Sequence, residues 1–282
     1  MFFPEHVLKK KITQIAHSYD AFAALYRKIA DRLLMHVECM RLAPSVILDV
    51  GAGTGYISAL LKKCYPCADI IALDFVEAIL SQNTDKNILS LCADAAHLPF
   101  ADASVDLIVS GVMLPWCENA EAIFAQVQRV LKPGGLFLFS TFGPDTLGEV
   151  RASWAAVDEM PHVHLFFDLH DIGDALLRAG FADPVMQTEW LTLLYKSTES
   201  LFQDIKKTGS SNILLERRMT LTGKKRFQRF LAEYNTYCDE KGEFPATFEV
   251  LYGHCWKDIR SLQKAGEVKI PIAEIRNRKN KP

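Results

Sequence analysis

The feature that most constrains this chain is a series of short, continuous apolar runs, each stopping at a turn signal. Val46-Ile47-Leu48-Asp49-Val50 halts at a glycine cluster, and Ile70-Ile71-Ala72-Leu73-Asp74 halts before a helical stretch. Leu89-Ser90-Leu91-Cys92, Val105-Asp106-Leu107-Ile108-Val109 and Leu136-Phe137-Leu138-Phe139 follow, with helical stretches such as Ala120–Leu131 between most of them. A strand that is apolar at nearly every position has to be covered on both faces. Such strands alternating with helices make a parallel sheet with helices on each side. The expected fold is therefore α/β, a doubly wound, mostly parallel seven-stranded sheet. Its last two strands read over Val185–Tyr195 and Thr247–Trp256, and Asp171–Gly180 reads as a helix capped by Gly180.

Other stretches do not belong to that alternation. Residues 5–43 repeat apolar side chains at three- and four-residue spacing (Ile12, Ile15, Ala16, Tyr19, then Phe22, Leu25, Tyr26, Ile29), which predicts helix up to Pro44. The stretch 196–243 is helical, polar and basic, and interrupts the sheet pattern. These observations predict an N-terminal helical cap over 1–45 and a sheet domain over 46–195 and 244–256. A helical basic lid over 196–243 and a polar, disordered tail over 257–282 complete the expected organisation.

Composition excludes several classes. The formal net charge of −2 gives no global field for nucleic acid or an anionic membrane. No apolar run approaches the roughly 18–20 residues that a membrane span needs. Seven scattered cysteines and the absence of a signal-like pattern after Met1 point to free thiols in a reducing, cytoplasmic setting. Cys64 and Cys67 form a C-x-x-C with no second pair at ligand spacing, so no metal site is expected.

Asp49-Val50-Gly51-Ala52-Gly53-Thr54-Gly55 follows the first strand and opens a helix. Glycines there permit a tight turn and let a ligand approach the backbone where a Cβ would collide. The N–H groups of the helix start suit an anion. That pattern alone also serves a dinucleotide site. Asp74, ending the second strand, can take both ribose hydroxyls of a nucleoside, and nothing basic follows it to hold a 2′-phosphate. Asp94 in Cys92-Ala93-Asp94-Ala95 can accept from an adenine amino group. Asp106 begins the fourth strand, and Lys132-Pro133-Gly134-Gly135 makes the turn into the fifth.

In this order, Asp49–Gly55, Asp74, Asp94, Leu98-Pro99-Phe100, Asp106 and Lys132–Gly135 resemble the successive motifs of class I S-adenosylmethionine-dependent methyltransferases, over about 46–142. The resemblance implies a Rossmann-like sheet with S-adenosylmethionine as cofactor. Gly51 and Gly53 would face its methionine part, Asp74 its ribose, and Asp94 with the Ala95 backbone its adenine, with Asp49 and Gly55 also among the cofactor-binding residues. Tyr19-Asp20, Met113-Leu114-Pro115-Trp116-Cys117, Ser140–Leu147, His170–Leu177, Leu221–Lys224, Pro245–Val250 and Tyr252-Gly253-His254 carry a narrower resemblance. Over about 5–256 these are similar to the malonyl-acyl-carrier-protein O-methyltransferase family of biotin synthesis. One departure is Gly111, where asparagine is expected, so the backbone there can lie differently around the transferred methyl.

That family's reaction esterifies the free carboxylate of a malonyl thioester, an early step towards the pimeloyl part of biotin. The nucleophile is already ionised at neutral pH and needs no general base. Catalysis then rests on positioning and exclusion of water. Tyr19, Arg151, Arg217 and Arg218 are candidate donors to the carboxylate, and Trp116 can wall the methyl pocket. Between Lys206 and Arg229 stand eight basic residues, among them Arg217, Arg218, Lys224, Lys225 and Arg226, opposed only by Glu216. Such a run is either a solvated face or a docking surface for an acidic acyl carrier protein. Alternatives on the same fold are enzymes acting on a quinone precursor, a protein or RNA. The RNA reading is weakened because aromatic residues do not interleave with the basic run.

Overall fold

A computed structural model describes residues 5–38, 40–218 and 220–259. It opens with α1 (Glu5–Ile15), a 3₁₀ turn (Ala16–Ala21) and α2 (Ala24–Glu38). The continuous helix expected over 5–43 is thus broken. The Phe22 amide bonds Tyr19 O at 3.0 Å, tightening the chain into 3₁₀ geometry before α2 restarts. The elements β1 (Val46–Val50), α3 (Tyr56–Cys64), β2 (Asp69–Asp74), α4 (Glu77–Leu80), β3 (Ile88–Cys92), β4 (Val105–Gly111) and α5 (Ala120–Val130) follow. Next come β5 (Leu131–Phe142), α6 (Gly148–Ala155), α7 (Leu169–Arg178), β6 (Phe181–Tyr195), α8 (Thr198–Lys207), α9 (Lys224–Tyr234) and β7 (Phe244–Lys257).

The seven strands form one sheet in the order β3-β2-β1-β4-β5-β7-β6. The strands β1 to β5 pair in parallel, and β7 is antiparallel to both β5 and β6. Apolar side chains cover both faces, which is why these strands lack polar alternation. One face packs Ile47, Leu107 and Leu138 against Ile29 and Leu33 of α2 and Leu61 of α3. The other packs Leu48, Ile108 and Phe137 against Phe124 and Val127 of α5 and Leu176 of α7. Gly180, at φ +86°, takes the left-handed position that closes α7.

One detail differs from the sequence reading, and the place of Asp106 agrees with it. The stretch Lys132–Gly135 lies inside β5 and not before it, as an irregularity where the β4 pairing jumps from Val105/Leu131 to Leu107/Leu136 and Gly134 turns left-handed at φ +76°. Asp106 lies near the amino end of its strand, away from the glycine turn. It accepts from the Ser45 and Val46 amides at 3.1 and 2.9 Å and from Lys132 Nζ at 2.7 Å. Partial burial works the other way, yet these bonds hold its carboxyl below the usual range. Its place in the motif series is a lock between β1, β4 and β5.

The end of β6 pairs with the start of β7, Tyr195 opposite Phe244. The segment between them therefore leaves and returns at one end of the sheet. Because β7 runs against β5, that end is the carboxyl edge of the parallel strands. The segment packs back through Leu201, Phe230 and Tyr234, which join the core on the α2 side. Of the expected tail, residues 260–282 lie outside the described residues.

Candidate active site

Strand order reverses between β1 and β4, and ligand sites of open α/β sheets form at such a switch point, beyond the strands' carboxyl ends. A cavity of about 350 Å³ opens there. Its floor contains Gly51, Gly53, Asp74, Asp94 and Ala95, and its opposite wall contains Leu8 and Ile12 of α1, Tyr19, Tyr26 and Thr208.

The floor is organised by backbone. Gly51 and Gly53 have φ +76° and +56°, a region costly for other residues. A Cβ on Gly51 would lie 2.6 Å from Met113 Cβ, so the loop after β4 can press against the glycine turn only because no side chain stands there. Asp74 accepts from the amides of Gly53 and Val76, both at 3.0 Å. Burial still raises its pKa, against those bonds. Asp94 caps the short 3₁₀ turn Ala95–His97 through the Ala96 amide (2.9 Å) and meets His97 Nδ1 at 2.9 Å.

Two predicted floor residues sit behind the cavity, not in it. Asp49 is fully buried and accepts from Ser58 Oγ of α3 at 2.6 Å, tying β1 to the helix that the glycine turn begins. Burial, only partly offset by Ser58, pushes its pKa up to about 7. Gly55 caps α3 at φ +88°, and a Cβ there would meet Asn83 at 2.8 Å.

The 3₁₀ break explains the Tyr19-Asp20 pair. Tyr19 lines the cavity, whereas Asp20 accepts from Thr54 Oγ1 of the glycine turn at 2.8 Å and meets Arg27 at 3.4 Å. Burial, with nearby Tyr26 and acidic residues, raises the Tyr19 pKa well above the ordinary value, so its phenol is a proton donor at neutral pH. Trp116 lines the cavity and stacks on His164, ring centres 5.2 Å apart. Gly111 also lines it. A Cβ there would run into Ile57, and the next residue, Val112, is held at φ +51° with its amide on Ser140 O (3.0 Å). A β-branched residue in that region is strained, and the strain stands at the cavity wall.

The predicted cations are not brought to this cavity. Arg151 Nη1 and Nη2 donate to Pro144 O and Thr146 O at 2.5 and 3.1 Å. Arg217 ties down Ile213 O and Leu214 O, and Arg218 pairs with Asp158 at 3.4 Å. Lys224, Lys225 and Arg226 are exposed on the first turn of α9. The charged lining is instead acidic, with Glu5, Asp74, Asp94 and Glu118 facing His97 as the lone imidazole. Sequence reading missed Tyr26, Thr208 and Cys117. Tyr26 and Thr208 have no motif around them, while Cys117 lay within a quoted motif but was given no role. Burial, then Asp94 and Asp74, push the Cys117 thiol up to about 12, so it carries no thiolate.

Known proteins can now be set beside this geometry. A methyltransferase domain family matches residues 48–139. A malonyl-[acyl-carrier protein] O-methyltransferase of Gallionella capsiferriformans is 38% identical, over 92% of this chain and 93% of that protein. The malonyl-[acyl-carrier protein] O-methyltransferase 1 of Coxiella burnetii is 41% identical, over 96% of this chain and 95% of that protein. The chain belongs to the malonyl-[acyl-carrier protein] O-methyltransferase family. Among solved structures, the YcgJ protein of Bacillus subtilis shares the fold with a TM-score of 0.58 at 19% identity, over 82% of this chain and 98% of that one. The [4+2]-cyclase SpnF shares it too, at TM-score 0.51 and 16% identity over 83% and 82% of the two chains. The fold by itself therefore does not settle the chemistry.

The protein is an S-adenosylmethionine-dependent methyltransferase, and the cavity fits that cofactor. The cofactor's methionine part carries an ammonium and a sulfonium, and the cavity's charged walls are carboxylates with no lysine or arginine. The left-handed glycines leave open the space a Cβ would fill.

Proposed function

We propose that this enzyme methylates the free carboxylate of a malonyl group carried as a thioester on acyl carrier protein, an early step of biotin (pimeloyl) synthesis. The observation that carries this reading is where the likeness extends. Relatives bearing that name match 92–96% of the chain, far beyond the 48–139 common to methyltransferase domains. They include the segments that roof the cavity, where a substrate is chosen.

Gly51 and Gly53 would face the methionine part of the cofactor, Asp74 its ribose, and Asp94 with the Ala95 backbone its adenine. Asp49 and Gly55 would support that site from behind. When bound, S-adenosylmethionine supplies an electrophilic methyl group on a sulfonium. The malonyl carboxylate is ionised at neutral pH, so an in-line displacement needs no base. The protonated Cys117 and the absence of lysine from the lining agree with that. Tyr19 donates to the carboxylate and orients it, and Trp116 walls the methyl pocket and excludes water. Arg151, with its guanidinium held by two carbonyls, serves by shaping the loop after β5.

On this reading 1–45 caps the cofactor and 46–195 with 244–256 carries it. The segment 196–243 is a lid whose basic α9 face (Lys224, Lys225, Arg226) receives the acidic carrier. Arg217 and Arg218 brace the segment before α9. No described helix is long and apolar enough to cross a membrane, and a cytoplasmic reaction suits a carrier-bound substrate.

Incubation with labelled S-adenosylmethionine and a panel of malonyl-carrier protein, malonyl-CoA, acetyl-carrier protein, a quinone precursor and bulk tRNA tests the proposal. A base-labile methyl ester on the malonyl thioesters alone is expected, with the carrier-protein rate falling more steeply with salt than the CoA rate. Base-stable label, or label on the quinone or tRNA, overturns it.

A further inference from the structure

A second and larger cavity, about 460 Å³, lies between α1, α6 and α8 and shares no lining residue with the cofactor cavity. Its walls are of two kinds. Apolar surface comes from Ile15, Val150, Trp154 and Phe202, and polar side chains come from Gln14, Ser211 and Asn212. Lys11 and Lys206 also line it, neither in an ion pair among the described residues. Burial and the nearby Arg217 lower the Lys11 pKa, the mark of a half-buried cation without a counterion.

The two cavities are connected by their walls. A small void of about 60 Å³ shares Tyr26, Trp116 and Thr208 with the cofactor cavity and Leu147, Phe166 and Ser210 with the larger one. That is the room of about two water molecules, a neck and not a chamber. Hydroxyls line it, with Ser210 Oγ 2.5 Å from Tyr26 Oη and 2.9 Å from Thr208 Oγ1. They are set there by the end of α8. Gly209 turns left-handed at φ +76°, the Ser210 amide returns to Ile205 O at 2.9 Å, and a Cβ on Gly209 would meet Ile12 of α1 at 2.6 Å. The one carboxylate at the neck, Asp204, already accepts from Tyr195 Oη at 3.1 Å.

We propose that the larger cavity is the channel for a phosphopantetheine arm, which delivers its acyl group through the Tyr26–Thr208–Ser210 neck to the cofactor. This rests on the thioester substrate proposed above. The arm's chemistry matches the walls in kind. Its phosphate meets Lys11 and Lys206, its two amides meet Gln14 and Ser211, and its methyl groups meet the apolar surface, while Asn212, bonded to Pro161 O and the Leu214 amide at 2.7 and 2.9 Å, shapes the wall. The malonyl carboxylate leads through the neck past Asp204, whose Oδ2 is taken by the Tyr195 hydroxyl, and the neutral thioester follows. The carboxylate enters a cavity lined by no lysine or arginine, where the phenols of Tyr26 and Tyr19 are the donors. Burial raises the Tyr26 pKa, which keeps that donor protonated.

Titration of 4′-phosphopantetheine into the wild-type protein and into Ser211→Trp tests the channel. Binding by the wild type, weakened tenfold or more by the indole, is expected, with S-adenosylmethionine affinity unchanged. Gln14→Trp, on the exposed side of α1, provides a second plug if Ser211→Trp folds poorly. Lys11→Gln with Lys206→Gln should weaken 4′-phosphopantetheine while leaving unphosphorylated pantetheine unaffected. No binding by the wild type, or equal binding by the plugged and open proteins, overturns the channel. If the arm binds as expected but no malonyl thioester is methylated, the proposed function fails and the channel stands.

Discussion

The floor of the cofactor cavity and its roof are built from different materials. On the floor, the polar work is done by backbone amides and short side chains at strand ends, as where Asp74 accepts from Gly53 and Val76. In the roof it is done by side chains reaching from the 3₁₀ turn, α2 and the end of α8, as where Tyr26 meets Ser210 across 184 residues of sequence. A backbone-built surface tolerates little change, because each glycine and each capping carboxylate sets the path of the chain. A side-chain-built surface can change its chemistry while the helices stay in place. The fold is shared with a cyclase, so the sheet alone does not set the chemistry.

The sharpest way to break that comparison is Asp74→Ala. It removes both the proposed ribose partner and the acceptor that holds the Gly53 amide, so the floor should lose ligand and shape together. S-adenosylmethionine affinity by calorimetry should fall about 100-fold or more, on the order of 3 kcal/mol, while the protein stays folded. Affinity within threefold of wild type would mean that the floor is not the cofactor site. A roof substitution should behave differently. Tyr19→Phe keeps the ring and loses one donor, so kcat should fall about tenfold to a hundredfold, on the order of 1.4–2.8 kcal/mol. Cofactor affinity should hardly move. If it drops as far as in Asp74→Ala, floor and roof are one unit and the distinction is wrong.

The smallest effect on the site is expected from Asp49→Asn, behind the floor. A carboxyl with pKa about 7 in the folded chain binds its proton more tightly there than in the unfolded chain, where it titrates near the ordinary value of about 3.9. Its contribution to stability is therefore fully present below about pH 4 and is lost as pH rises towards 7. Denaturant unfolding across pH 4 to 8 should show a shallower decline for Asp49→Asn than for wild type, with cofactor affinity within about threefold. Parallel declines would show that Asp49 ionises normally.

Much of the floor was legible because it is local. A strand, a glycine turn and a helix start occupy Val46–Tyr56 without a break, and Asp74 ends the neighbouring strand. Their chemistry is fixed by backbone conformation, which a few adjacent residues decide. The separation of Asp49 and Gly55 from the cavity was not legible, since both lie within the same seven residues as Gly51 and Gly53. Only the direction of each side chain or Cβ, set by α3 and Asn83, distinguishes them.

The roof follows the opposite rule. Periodicity correctly marked the N-terminal region as helical, but not the 3₁₀ break at Ala16–Ala21 that sends Tyr19 inward and Asp20 towards Thr54. Apolar spacing is nearly the same on either side of such a break. Arg151, Arg217 and Arg218 looked like free cations because sequence does not show the carbonyls and the Asp158 carboxylate that hold them. The sequence by itself determined the sheet, the glycine floor and the family, all of which rest on contiguous residues and strand-length patterns. Packing alone brings Tyr19 to the cavity wall and gathers Tyr26, Thr208 and Ser210 at one neck. Those residues come from helices that meet only after the chain has returned over the carboxyl edge of the sheet, and their proximity is carried by packing between distant segments.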